Sequence, residues 1–588
     1  MELKHEIMGR QYAWPLLASG AALASAHPLM ASTPSAAFLA MLAGVGSAHF
    51  VEQWLGRDDS GVNLVPREGF VLPSDTPPEL CMGNNGIRVG YTKDRYAPVD
   101  LLNNTLARHI AVIGQSGVGK TTFGEYVLWQ QVARGGGFIF IDAKLDKETR
   151  DHLGYMARLA GREHELYVLN VDDPANSHTY NPLLQGDADE VASRLLNLMP
   201  STENNPGSDH YRQAANHALT VLVGAMQAAK VRYNFSDLSI MLQSPAALER
   251  VARMVPDGPQ RMSLQIFLDQ YRKRTKEGVA LDTDKLKNTL GGMAGRISQF
   301  AQGAFGAVFN TYTPEIDLTD IVKSGKMLYV MLPTMGKDTA ALNLGKMILS
   351  DLRTATYNVQ GLPKTARPNP PFLVFADEMG SYVMPGIARL FEQARSAGII
   401  MMPAFQSFAN LSAVSPDFAD MLIQNTWSKV LFKFGSPESA EQAADIIGMQ
   451  IVHTKSLSES VSDGTSVSPT AVVGMTQGES ANTGVGTSYK EGEAYRVTTD
   501  QIMGLGIGEA IVVSGSRMFH VNTPMLEYPS VIEEYSPVRH PVFMPSGVTG
   551  LDLADAYTEF LLSSGGGGKM PAVSVPDPDD PLPPLKVS

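Results

Sequence analysis

Cysteine is almost absent: Cys81 stands alone among 588 residues. No disulfide can close within the chain, and no cysteine-based metal site can be assembled. This fits a cytosolic setting for the bulk of the protein. The 12 histidines fall into no metal-ligand spacing. Net positive charge is missing too. Acids outnumber bases and leave a formal charge of −13, so nucleic acid can be contacted only locally, without a general basic coat. Charge of either sign is absent from Tyr12 to Val51. That run is about twice the ~20 residues one membrane span needs. A polar stretch around His27, Pro28, Ser32, Thr33 and Pro34 divides it into two pieces rich in Ala, Gly and Ser. Small residues let two spans pack closely. We read residues 1–55 as a two-helix transmembrane hairpin with both ends on one side. A rival reading is a cleaved signal peptide, with Lys4 and Arg10 ahead of the apolar run and Ala24-Ser25-Ala26 as its cleavage site. It leaves the second apolar piece unexplained. A buried helical hairpin in a soluble protein is a third reading.

What is present points to folded units. Hydrophobic residues make up 44% and charged ones 18%, enough for substantial buried cores. Turn residues and short apolar runs over 52–105 read as a β-rich lead-in. Residues 108–113 form a short apolar run that predicts a buried strand. A helix is expected to about Ala133, ended by Gly135-Gly136-Gly137, with strands at Phe138–Ile141 and Tyr167–Asn170. This is a βαβ pattern with parallel strands. From about 187 to 310 the periodicity is helical, as in Val191/Leu195/Leu198 and Ala215/Leu219/Leu222. Strand signals return at Met327–Leu332, Phe372–Phe375, Gly398–Met402 and Lys429–Phe434, with a long helix over about 338–357. Residues 455–490 are rich in Ser and Thr and read as a loop or weakly specified hairpin. Arg496–Val521 alternates and closes the domain. From Gly565 the glycine-, proline- and aspartate-rich end reads as a disordered tail. The division is therefore 1–55 hairpin, 56–186 with 311–530 as an α/β P-loop domain, 187–310 as an inserted all-α domain, and 531–588 as a C-terminal extension.

The segment Gly114-Gln115-Ser116-Gly117-Val118-Gly119-Lys120-Thr121 matches G-x-x-x-x-G-K-[ST]. Glycines let backbone N–H groups turn inward around phosphates, and the next helix offers its positive end. These residues and Thr122 are the expected nucleotide-binding set. Lys120 is placed at the β/γ-phosphates, and the Thr121 hydroxyl on Mg²⁺. The expected cofactors are ATP and Mg²⁺. Asp377 and Glu378 end an apolar run at the point where parallel sheets hold ligands. Asp377 is the second expected Mg²⁺ ligand, and Glu378 the group that activates water. Asp142, ending the rival strand with one acid, ranks second. Gln406 follows another strand and could sense the γ-phosphate. Arg395 ends a helix, where it is either a cation complementing the helix C-terminus or an arginine finger. Arg272-Lys273-Arg274 with Lys276, after Tyr271, is the densest basic patch, read as a solvated helix face or a nucleic-acid contact.

In this order the features resemble the conjugative coupling proteins of the TraD, TraG and TrwB type, within the FtsK/HerA group of motor ATPases. The resemblance covers about 12–530. It rests on Arg108 through Thr121, Phe140-Ile141-Asp142-Ala143-Lys144, Tyr180-Asn181-Pro182-Leu183, Phe375-Ala376-Asp377-Glu378, Ala394-Arg395-Ser396-Ala397-Gly398 and Pro403-Ala404-Phe405-Gln406-Ser407. Where many members carry a larger Gly-rich turn with Pro, this chain has Asp142-Ala143-Lys144-Leu145. The resemblance implies a RecA-like ATPase domain, Arg108 at the nucleotide site, Arg395 as a finger and Gln406 as a sensor. It further implies a homohexamer at the bacterial inner membrane with the ATPase domain in the cytoplasm. Its implied partners are DNA, relaxase or relaxosome proteins and the components of a type IV secretion channel. Two other readings stay open: a DNA translocase without a secretion partner, and a nucleotide-switched effector receptor that does not pump.

Overall fold

The computed structural model describes residues 62–64, 85–94, 96–199, 209–275, 278–334, 336, 338–467 and 477–553. The expected transmembrane hairpin and the tail from Gly565 lie outside them. Among the described residues no helix is long and apolar enough to cross a membrane.

The strands in chain order are β1 (Val62–Leu64), β2 (Gly86–Thr92), β3 (Pro98–Leu102), β4 (Ile110–Ile113), β5 (Phe138–Asp142) and β6 (Leu166–Asn170). Then come β7 (Val231–Arg232), β8 (Arg272–Thr275), β9 (Gly278–Leu281), β10 (Met327–Met331), β11 (Phe372–Ala376), β12 (Ile399–Phe405) and β13 (Ser428–Leu431). The last are β14 (Met449–Val467), β15 (Gln477–Tyr495), β16 (Glu509–Ser514), β17 (Arg517–Asn522) and β18 (Thr549–Gly550). Twelve of them build one sheet in the order β1-β3-β2-β17-β16-β13-β4-β12-β11-β5-β10-β6. The run from β13 to β6 is parallel throughout. Helices cover both its faces, so its strands are continuous apolar runs: Phe138–Asp142, Phe372–Ala376 and Ile399–Phe405 are buried at every position. From β13 the sheet continues antiparallel through β16, β17, β2, β3 and β1. The expected lead-in is thus an extension of the main sheet. β14 and β15, of 19 residues each, pair with one another as a separate antiparallel two-stranded sheet.

Between β6 and β10 the chain is mainly helical, from Ala188 to Phe309. It is not all-α, and the basic patch is not a helix face. Arg272, Lys273 and Arg274 lie on β8, which pairs antiparallel with β9. Arg272 ion-pairs with Asp269, and Lys273 with Asp282 at 3.1 Å, which neutralises part of the patch. Strand propensity here comes from cross-strand pairing, which helical periodicity around it does not reveal.

After β17 the chain runs back over the parallel end of the sheet. The Tyr535 ring packs where Gly154 has no side chain, and its hydroxyl donates to Leu166 O at 2.7 Å. Arg150 meets Glu534 at 2.8 Å, and Arg539 meets Glu315 at 3.1 Å. β18 then pairs in parallel with β7 of the helical segment. One strap therefore ties the sheet to the inserted segment.

Candidate functional site

The tips of β4, β12, β11 and β5 stand side by side at the C-terminal end of the parallel sheet. Gly114 N donates to Phe405 O (3.2 Å), and Asp377 N to Ile141 O (2.9 Å), which keeps the four tips level. The chain turns out of β4 at Gly114, where a Cβ would lie 2.6 Å from that of Phe432. Gly119 enters the next helix, α1 (Lys120–Ala133), at φ 101°, a conformation that favours glycine. No side chain caps α1, and its first turn holds no acid, so the N–H groups of its first turn are left for an anion. The loop is braced from behind: Gln115 N donates to Lys433 O, and Gly508 N to Val118 O.

Lys120 is buried and folds over this loop, donating to the carbonyls of Gly114 (2.6 Å) and Gln115 (2.8 Å). Burial and the Lys144 charge lower its pKa, against the pull of Asp377 and Glu378. The Thr121 hydroxyl lies 3.1 Å from Asp377 Oδ2. Asp377 is fully buried, and Tyr382 fixes its backbone through a hydrogen bond to Asp377 O at 2.8 Å. Glu378 follows in the left-handed region at φ 49°, a strained setting for a non-glycine residue that aims its side chain back over the tips. Gln406 Nε2 donates to Glu378 Oε1 at 3.1 Å. One hydroxyl and two carboxylates meet here, an oxygen donor set that suits Mg²⁺. The uncapped helix start beside them suits its phosphates, so residues and group fit.

Two more residues join this cluster: Asp142, the second-ranked acid from sequence, and Lys144, which had been given no role. Asp142 is buried against Asp377, with Tyr329 donating to its Oδ2 at 2.8 Å. Burial, with the Asp377 charge adding, pushes its carboxyl up to about 6. Lys144 Nζ lies 3.5 Å from Asp377 Oδ2, 3.6 Å from Glu378 Oε1 and 3.5 Å from Thr121 Oγ1. Burial works against its charge, but Asp377, Glu378 and Asp142 outweigh it and hold the ammonium above the usual lysine range. In sequence Lys144 is marked by closing the Phe140–Lys144 segment of the resemblance, two residues past a strand-end acid.

Two expected site residues are not brought to the cluster. Arg108 precedes β4, and the whole strand separates it from Gly114, about 20 Å at ~3.3 Å per residue. Its guanidinium stacks on Trp427, 4.7 Å from the ring centroid. Within one chain, therefore, Arg108 is not at the nucleotide site. Arg395 ends the helix Ala388–Ala397. β12 then runs its seven residues to Gln406, again about 20 Å away. Arg395 is exposed and lines an open cleft of about 620 Å³ with Lys364, Arg367 and Glu392. Its charge is felt by His109, which burial chiefly depresses to about 4.

A G-x-x-x-x-G-K-[ST] loop leaving β4 of a parallel sheet, with carboxylates at the nearby tips of β11 and β5, defines a P-loop nucleotide-binding protein of the NTPase class. Within that class the chain resembles the type IV coupling proteins in sequence and in fold. A family model described as the TraM recognition site of TraD and TraG matches residues 371–504. The type 4 coupling protein DotL of Legionella pneumophila is 26% identical over 380 residues, covering 57% of this chain and 48% of that protein. The chain thus spans about half the length of this curated relative. In fold, the bacterial conjugative coupling protein TrwBdeltaN70 in its unbound form matches with a TM-score of 0.50 at 14% identity, covering 80% of this chain and 94% of that one.

Proposed function

We propose that this chain is an ATPase that couples a DNA–relaxase or protein substrate to a type IV secretion channel and powers its transfer. The observation that carries the hydrolytic part is the convergence of Thr121, Asp377, Glu378 and Gln406 beside an uncapped helix start. In this reading Lys120 leaves its two carbonyls for the β/γ-phosphates, and the first-turn N–H groups of α1 cradle the phosphate oxygens. Thr121 and Asp377 would hold Mg²⁺, which when bound would supply positive charge beside the phosphates. Glu378 orients and deprotonates the attacking water, and Gln406 fixes the Glu378 carboxylate while sensing the γ-phosphate. Residues 114–122 supply the rest of the nucleotide contacts.

Arg395 and Arg108 both lie about a strand's length from their own P-loop. That placement supports a ring, taken here as a homohexamer, in which one copy's arginine serves its neighbour's nucleotide. Anchoring at the inner membrane by residues 1–55, with the ATPase domain in the cytoplasm, completes the proposal. The resemblance to coupling proteins favours it over a translocase without a secretion partner and over a receptor that does not pump. The test is ATP turnover with and without single- and double-stranded DNA. DNA-stimulated turnover is expected. Nucleotide binding without turnover under any of these conditions favours the receptor.

A further inference from the structure

Lys144 touches the same oxygens that the proposed reaction assigns to the divalent cation and to water. Its ammonium is within ion-pair distance of Asp377 Oδ2 and Glu378 Oε1, and 3.5 Å from Thr121 Oγ1. Thr121 Oγ1 and Asp377 Oδ2 are themselves 3.1 Å apart. An ammonium and a metal ion cannot share one carboxylate oxygen at bonding distance, because like charges a few ångströms apart repel strongly in a buried setting. Asp377 is fully buried and carries its charge among few other cations: Lys120 is turned toward the loop carbonyls instead. Lys144 is also built to leave. Its backbone is anchored, with N–H donating to Asp142 Oδ1 at 2.9 Å, while its side chain is about half exposed on a flexible four-carbon stem.

We propose that Lys144 is a tethered counter-ion of Asp377 and Glu378 that the Mg²⁺–nucleotide complex displaces, and that it disfavours metal binding before nucleotide arrives. The proposal rests on the reading of this site as an Mg²⁺–nucleotide site. In the nucleotide-free protein Lys144 balances two carboxylates carried by consecutive residues at the tip of β11. When the triphosphate enters, its own negative charge recruits Mg²⁺, and the joint complex outcompetes one half-exposed ammonium. Lys144 is then released beside the phosphates, where its charge has a new partner. A bare metal ion brings no such compensation and must compete with Lys144 alone. In this role Lys144 is a positioning residue, acting through the carboxylates rather than on the reacting atoms.

The test is Mn²⁺ binding to the full-length protein without nucleotide, read from the electron paramagnetic resonance of free Mn²⁺. Exposed ion pairs typically contribute up to a factor of about five each, so Lys144→Met should tighten Mn²⁺ binding roughly three- to tenfold. Lys144→Arg, which keeps the charge, should stay within about twofold of the natural chain. Asp377→Asn in the Lys144→Met background should cancel the gain. Unchanged or weaker Mn²⁺ binding in Lys144→Met overturns the counter-ion role, as does a gain that survives Asp377→Asn. Binding of a fluorescent ATP analogue with Mg²⁺ to the natural chain is measured alongside. Its absence sinks the nucleotide-site reading itself, whereas its presence with flat Mn²⁺ data sinks the Lys144 role alone.

Discussion

Asp142 offers a quantitative test of how the site is charged. Its carboxyl is pushed from 3.8 to about 6, chiefly by burial, and the difference corresponds to about 3 kcal/mol at ~1.4 kcal/mol per tenfold change in proton affinity. The sign follows from linkage. Below about pH 3.8 the group is protonated in both states and costs nothing. Between there and about pH 6 the unfolded chain has ionised it while the fold has not, so stability falls as pH rises. Above about pH 6 the loss is complete. Asp142→Asn removes the titration while keeping an oxygen for Lys144 N and a polar atom for the Tyr329 hydroxyl. The variant should therefore be more stable than the natural chain by about 3 kcal/mol at pH 7.5 and by roughly half that at pH 5. A gain of this size raises Tm by on the order of 5 °C. Thermal melts of both proteins at the two pH values, without nucleotide and in chelator, read the difference. A gain equal at both pH values, or a loss at pH 7.5, refutes the reasoning. Asp142 would then be ionised in the fold, with its charge supported by Lys144.

Lys120→Ala should abolish turnover and weaken nucleotide binding, whereas Glu378→Gln should keep binding and lose turnover, because Thr121 and Asp377 remain; equilibrium nucleotide binding beside turnover separates the two, and equal loss of affinity in both contradicts the assigned roles. Arg395→Ala should lower kcat by roughly 10³-fold with an unchanged melt, as removal of an arginine finger does. Mixing its subunits with Lys120→Ala subunits should recover part of the turnover, and no recovery in verified mixed rings would remove the finger in trans. Gly154→Ala would set a methyl carbon 2.6 Å from Tyr535 Cδ2. That should cost about 1–3 kcal/mol and speed proteolysis between 526 and 553, where an unchanged digest would show the strap does not depend on that contact.

How far the sequence could be read depended on where each element draws its stabilisation. β5, β11 and β12 are buried on both faces, so local apolar runs announced them, and the glycine-rich loop between an apolar run and a helix announced α1. Asp377, Glu378 and Gln406 sit at strand tips that the parallel sheet aligns, and Thr121 opens α1 just past the loop, so strand ends and the loop motif are what marked the four as candidates. β8 and β9 gave no such notice: Arg272–Thr275 is polar, and its partner strand and Asp282 fix it from outside. The segment after β17 has little local pattern and is ordered by contacts distant in sequence, such as Tyr535 with Gly154. Lys144 escaped assignment for the same reason, since its meaning lies in Asp377 and Glu378, more than two hundred residues on. Arg108 shows the converse. Six residues from Gly114 is close in sequence, but across an extended strand it is the full depth of the sheet. A residue just before a P-loop strand is therefore placed at the far edge of its own subunit, on Trp427, and so is Arg395 at the start of β12. In the proposed ring, either would serve the nucleotide of another copy of the chain. The same strand geometry that gathers one subunit's acids thus makes assembly part of the proposed chemistry.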